Sequence, residues 1–200
     1  MVKPVLTRIE PIFSPRPWGT HSLAPLFPEK INLSEPLGEA WLTAQDSQIA
    51  NGPFAAKSLG QAWREMPPEW RGTYAKDFRE FPLLVKFLFP SDKLSIQVHP
   101  DDAYAEQFEQ AAGGRGKTEM WHVVHTRPGA ALLLGLKPGV TKDRFIAGVK
   151  NNDVEDLLVR FVHVLALQIG QSRMRIRIEI RLSGDQSGGE HEQQRSQSHV

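Results

Sequence analysis

Gln97 and His99 stand two residues apart in "LSIQVHPDD" (94–102), where Leu94, Ile96 and Val98 alternate with polar residues. A period of two predicts a half-buried strand that presents the amide and the imidazole on one face, just before a proline turn. Further along, in "KTEMWHVVHT" (117–126), Lys117, Glu119 and Trp121 share a face by the same spacing. If both faces point into a barrel, a nitrogen ligand, a carboxylate and an amide oxygen come together. Without sulfur, that set suits a catalytic zinc or a similar divalent ion with one position left open for substrate. Lys117 then sits two residues from a ligand, close enough to donate to a substrate oxygen or to move a proton. The spacing alone is equally compatible with a His99 that caps the turn before Pro100 and a Glu119 that is a solvated strand charge.

Composition limits the alternatives. With 200 residues, 40% of them hydrophobic, and a net charge of +1, the chain can bury one substantial core and has no electrostatic reason to seek nucleic acid. It contains no cysteine, which excludes disulfides and thiolate metal sites. No window approaches the roughly 18 to 20 apolar residues of a membrane span, and the N-terminus lacks an apolar signal core. The expectation is a cytoplasmic protein without membrane or nucleic-acid partners. "AAGGRGKT" (111–118) fits a relaxed phosphate-loop spelling. Its context argues against a nucleotide site, because a phosphate loop comes after a strand and opens a helix; here a helical pattern precedes the motif and a β pattern succeeds it.

The elements that must position these residues are short. Pro4, Pro11, Pro15 and Pro17 cut the N-terminal stretch into extended pieces. "GEAWLTAQDSQIANG" (38–52) reads as a strand that ends in the Asn51-Gly52 turn. "SLGQAWREMPPEWRGTYAKDFRE" (58–80) reads as two helices split at Pro67-Pro68, with Trp63 and Trp70 as their buried face. "PLLVKFLFPSDKLSIQVHP" (82–100) predicts two strands around the turn "PSDK", and Lys86 is the single charge in its apolar first half, costly to bury without a partner. "DDAYAEQFEQAAGG" (101–114) is a short capped helix. "ALLLGLKPG" (131–139) is a strand, and "TKDRFIAGVKNNDVEDLLVRF" (141–161) mixes helical and turn signals. Many short strands with segregated helices predict an antiparallel barrel or sandwich. Trp18, Trp41 and Trp121 are expected as packing residues. After Phe161 proline and aromatics disappear: "RMRIRIEIRL" (173–182) alternates like a strand, and 183–200 is polar enough to predict disorder.

"RPWG", "GEAWL", "PLLVKFL", "LSIQVHPDD" and "GKTEMWHV" succeed one another in the order and spacing of the type I mannose-6-phosphate isomerases, zinc-dependent cupins that the chain resembles from about Pro11 to Arg160. The resemblance implies a mainly β fold, a cupin jelly-roll barrel with a small helical insertion, and interconversion of mannose 6-phosphate and fructose 6-phosphate through an enediol. It also implies one Zn2+ per chain on Gln97, His99 and Glu119, with Lys86 and Lys117 as active-site lysines that bind the sugar phosphate and serve catalysis. The family's fourth ligand, a histidine in a "PAGTxH" type of motif, and the arginine soon after it have no counterpart here. His163 stands nearest to that position; His21, His122, His125, His191 and His199 read as packing, loop or tail residues. The expected organisation is an isomerase domain over 1–161, a divergent segment over 162–182 and a polar tail over 183–200, with the family's C-terminal part replaced. The competing expectation is an inactive, incomplete cupin that binds metal or sugar phosphate weakly.

Overall fold

The computed structural model describes residues 6–94, 97, 99–109, 111, 114–151, 162–166 and 172–174. The chain divides into two compact units at Ile96/Gln97. The first is built on an antiparallel sheet of β1 (Ile12–Thr20), β2 (Leu37–Trp41) and β3 (Lys86–Leu88), in that order. The expected N-terminal extended pieces are one strand, β1, whose pairing with β2 slips between Ser14 and Pro15 and again before Thr20. Prolines 15 and 17 have no N–H to give the ladder, which confines them to an edge strand and to the slipped register.

Register gives this sheet two different faces. Phe13 lies opposite Ala40, and Ala40 opposite Phe87. Phe27 meets Phe13, Phe87 and Phe89 edge to face at centroid distances of 5.1, 6.2 and 6.1 Å, so this side is an aromatic layer. The alternating positions Glu39, Trp41 and Lys86 therefore share the other side.

The helical insertion forms as expected. Ser58 and Gln61 make a reciprocal capping box at the start of α1 (Leu59–Glu65), a 3-10 turn comes next at Pro68–Trp70, and α2 covers Gly72–Ala75. Trp63 is buried, edge to face with Phe81 at 5.3 Å, while Trp70 meets Phe54 at 6.4 Å. Arg71 stacks on Trp63 at 5.2 Å and donates to the carbonyls of Arg64, Met66, Lys76 and Phe78, closing the end of α1 that has no further turn to bond.

The expected hairpin over 82–100 is shorter than predicted. Only Lys86–Leu88 is a strand in its first half. The Thr43 hydroxyl donates to Leu83 O at 2.8 Å and accepts from Val85 N at 2.8 Å, so a side chain takes the place of the ladder and the strand stops there. Leu83, Leu84 and Val85 are exposed. In the second half Gln97 and His99 lie outside any strand, and Ser95, Ile96 and Val98 are outside the described residues.

In the second unit Asp101 accepts from Tyr104 N at 2.7 Å and caps α3 (Asp102–Tyr104), which continues as a π-helical turn over Ala105–Glu109. Then come β4 (Met120–His122), β5 (Ala131–Leu136), α4 (Lys142–Lys150), β6 (Val162–Ala166) and β7 (Ser172–Met174). The β4 and β7 strands pair, as do β5 and β6, both antiparallel. The strand expected at 173–182 thus begins at Ser172; its remainder and the tail over 183–200 lie outside the described residues. Among the described residues the strands form one three-stranded and two two-stranded sheets, and no helix is long and apolar enough to cross a membrane.

Candidate functional site

Each unit holds one carboxylate–lysine–tryptophan constellation. In the first, Glu39 is only 5% exposed. Its Oε1 accepts from Lys86 Nζ at 2.7 Å, and its Oε2 accepts from Arg16 Nη2 at 2.7 Å and from Trp41 Nε1 at 3.0 Å. Strand spacing explains the arrangement: Glu39 and Trp41 are two apart on β2, and Lys86 lies opposite Trp41 on β3, diagonal to Glu39. Gly38 makes room for the fourth member, since a Cβ there would lie 2.5 Å from Arg16 Cβ and 2.7 Å from the Trp18 ring. Burial alone would push the Glu39 carboxyl up. The hydrogen bond and charge of Lys86, the indole N–H of Trp41 and the charge of Arg16 outweigh it and hold the carboxyl below its ordinary value.

The second constellation centres on Glu119. Its Oε1 is 3.0 Å from Lys117 Nζ and 3.2 Å from His99 Nε2, and Trp121 Nε1 donates to its Oε2 at 3.4 Å. His99 and Glu119 side chains are 14% and 16% exposed, Lys117 42%, so the pair is sheltered and the lysine reaches water. Burial pushes Glu119 up, but the hydrogen bond and charge of Lys117, then His99 and Trp121, leave it lowered.

Backbone contacts bring the two motifs together. Lys117 N donates to Pro100 O at 3.1 Å. A Cβ on Gly116 would lie 2.7 Å from Asp101 C and closer still to Asp102, so only glycine lets "GKTEMW" run against "HPDD". Gly116→Ala is expected to cost about 2 kcal/mol by overpacking against backbone that cannot yield, read as a lower urea midpoint at unchanged slope. The same contact disposes of the phosphate-loop reading: Gly116 lies against the Asp101–Asp102 backbone, and after Lys117 and Thr118 the chain runs into β4 rather than a helix.

The structure therefore brings together His99, Glu119 and Lys117 as their spacing suggested, although Lys117 and Glu119 precede β4 rather than sit on it. Gln97 is exposed. Lys86 has the partner its burial demands. Sequence reasoning missed Glu39 and Arg16 as site residues, although a charge in an apolar run called for a counter-charge and "GEAWL" supplied one. His163 lies on β6, which pairs with β5, whereas β4, the strand just after Glu119, pairs with β7. His122 and His125 are exposed, and His21 Nδ1 is bonded to Leu33 O at 2.7 Å, in keeping with a loop residue. Trp18, Trp41 and Trp121 are half-buried. Among the described residues no group of three His, Cys, Asp or Glu side chains is assembled.

Residues 6–121 match the family model described as "Phosphomannose isomerase type I, catalytic domain". The chain belongs to the type I phosphomannose isomerase family. Over 156 residues it is 38% identical to the probable mannose-6-phosphate isomerase GmuF of Bacillus subtilis and 33% identical to the putative mannose-6-phosphate isomerase YvyI of the same organism; each match covers 76% of this chain and 47% of the relative. The chain thus spans about half the length of the curated relatives it matches. A crystal structure of mannose 6-phosphate isomerase from Bacillus subtilis, 29% identical, superposes with a TM-score of 0.71 over 84% of this chain and 52% of that one. This likeness bears out the mainly β fold class expected of a phosphomannose isomerase, with the sheets not closed among the described residues.

Proposed function

We propose that this chain carries the metal site and the lysines of a zinc-dependent mannose-6-phosphate isomerase, interconverting mannose 6-phosphate and fructose 6-phosphate. The observation that carries the reading is the 3.2 Å approach of His99 Nε2 to Glu119 Oε1. A tetrahedral zinc with an imidazole nitrogen at about 2.0 Å and a carboxylate oxygen at about 2.1 Å sets those two atoms about 3.3 Å apart, so the pair is spaced like two ligands of one ion. The Gln97 amide oxygen would be the third ligand, and water or substrate would fill the open position. Bound there, zinc would supply a Lewis acid that polarises the sugar oxygens.

The chain's own residues then have separate tasks. The Trp121 indole and Lys117 fix the two oxygens of Glu119, which sets the direction in which the carboxylate faces His99. Aldose–ketose isomerisation removes a proton from C2 and delivers one to C1, while the carbonyl moves from C1 to C2 through an enediol. Lys117 is the group assigned to move that proton, as the neutral amine taking it from C2 and as the ammonium so formed returning it to C1, since its Nζ lies 3.0 Å from Glu119 yet is open to water. Lys86, held on Glu39, is assigned to the anionic substrate by the family resemblance alone.

One observation favours a second reading, a family remnant that binds metal or sugar phosphate without turnover: no third His or acidic side chain joins the pair among the described residues. A coupled assay of fructose 6-phosphate formation separates the two. Turnover that is abolished by chelation and restored by zinc is the expected result; a folded, zinc-loaded chain without turnover would leave the remnant.

A further inference from the structure

Asn51 and Gly52 belong to neither carboxylate constellation, yet Asn51 is a clasp between two segments of the first unit. Its Oδ1 accepts from Arg8 N at 2.6 Å and its Nδ2 donates to Leu6 O at 3.0 Å. One carboxamide thus satisfies a donor and an acceptor of backbone 43 and 45 residues away. The rest of that seam is main chain: Ala50 N donates to Arg8 O at 2.9 Å and Glu10 N to Gln48 O at 2.8 Å. On its other side Ile49 donates to Lys57 O at 2.9 Å and accepts from Ala56 N at 2.8 Å, which closes the 49–57 loop without the clasp. The clasp is built on the single asparagine–glycine pair of the chain. Both residues are exposed, Gly52 has a φ of 76°, and its N–H, unscreened by any side chain, has no hydrogen-bond partner among the described residues. The bonds that restrain the carboxamide lie at the surface, with Leu6 94% exposed, so water competes for them and the seam opens locally at low cost.

We propose that Asn51 is a site of spontaneous deamidation and that its conversion unfastens the 6–8 segment. Asparagine is among the thermolabile residues, and here the attacking group stands next to it. When the carboxamide turns away from Leu6 and Arg8, the Gly52 nitrogen attacks Asn51 Cγ. The new N–C bond closes a succinimide ring, the bond from Cγ to the amide nitrogen breaks, and ammonia leaves with the Gly52 proton. Water then opens the ring at either carbonyl to give aspartate or isoaspartate, with no oxidant or metal taking part. Aspartate keeps the shape of asparagine but has acceptor oxygens only, so an oxygen faces Leu6 O where an N–H had been, and the bond gives way to two unpaired acceptors. Isoaspartate adds a carbon to the main chain of the loop that Ile49 and Lys57 close. Either product leaves the clasp unable to re-form. Neither step depends on the isomerase reading.

The test is incubation of the full 200-residue chain in warm, mildly alkaline buffer with peptide mapping by mass spectrometry, beside a synthetic peptide of residues 48–55 as the unclasped reference. Aspartate and isoaspartate are expected in place of Asn51, while Asn32, equally exposed but placed before the bulky Leu33, keeps its amide. An Asn51 still intact in the folded chain after the peptide has reacted would overturn the site. The consequence is read by hydrogen exchange in Asn51→Asp. The Ala50 amide, bonded to Arg8 O, is expected to exchange about tenfold faster than in the parent, the effect of one lost hydrogen bond. The Ile49 amide, bonded to Lys57 O, is expected to keep its parent rate, which separates a released clasp from a general folding defect. Unchanged exchange at Ala50, or equal acceleration at Ile49, would overturn the unfastening.

Discussion

Replacing Lys117 by methionine is expected to lower turnover of mannose 6-phosphate by about 10²- to 10⁴-fold, the usual contribution of a positioned proton-transfer group, while bound zinc is retained. The basis is the division of labour proposed at Glu119. Its Oε1 meets both His99 and Lys117, but only His99 is sheltered enough to be committed to an ion, and the 42% exposure of Lys117 leaves its ammonium able to reach a substrate. Methionine keeps the length of the stem and removes the charge and the protons. Turnover should fall through kcat more than through KM, because an interaction made only in the transition state is lost. A Lys117→Met chain that loses zinc together with activity would mean that the lysine organises the metal ligands instead of handling a proton.

Glu39→Gln is the second large effect, and it acts on stability. The neutral amide leaves Arg16 and Lys86 side by side on a half-buried sheet face without their counter-charge. Breaking a buried ion pair by removing one partner costs about 3 to 5 kcal/mol; about 3 is expected here, because both cations keep some water. The direction of the Glu39 shift sets the pH dependence. Its carboxyl lies below the ordinary 4.5 in the folded chain, so its stabilisation is fully present above that value and is lost as pH falls through the lower folded value. Urea unfolding at pH 7 and at successively lower pH should show the Gln variant less stable at neutrality and converging on the parent in acid. A loss below about 1 kcal/mol, in the range of a surface pair, would mean that the triad does not brace the sheet.

The two side-chain constellations were legible in the sequence to the extent that they are local. Both constellations contain glutamate and tryptophan two apart, "EAW" at 39–41 and "EMW" at 119–121, and in both the indole N–H reaches the carboxylate. Alternation predicts that a strand, or an extended approach to one, places the two side chains together. The lysine at Glu119 is also two residues away and was found. Lys86 lies 47 residues from Glu39, and only the β2–β3 register joins them, so the sequence could show that a partner was needed without showing which. Arg16 was hidden further by Pro15 and Pro17, whose signal is interruption, although slipped pairing keeps the segment in the sheet.

Strand lengths were overestimated for one physical reason. Apolar runs such as Pro82–Phe89 have the composition of a strand, but ladder bonds need free backbone partners, and Thr43 occupies two of them with a hydroxyl. In the same way, Gly116 was legible as part of a loop motif, while its function, close passage over Asp101 and Asp102, depends on a fold that places "GKTEMW" against "HPDD".

Everything proposed for catalysis depends on His99 and Glu119, with Gln97, holding a metal ion. The decisive quantity is zinc bound per chain, determined by elemental analysis on the purified 200-residue protein and on His99→Ala. Close to one zinc is expected in the parent and essentially none in the variant, with both folded by circular dichroism. A folded parent chain without zinc, or a His99→Ala chain that keeps it, would contradict the assignment.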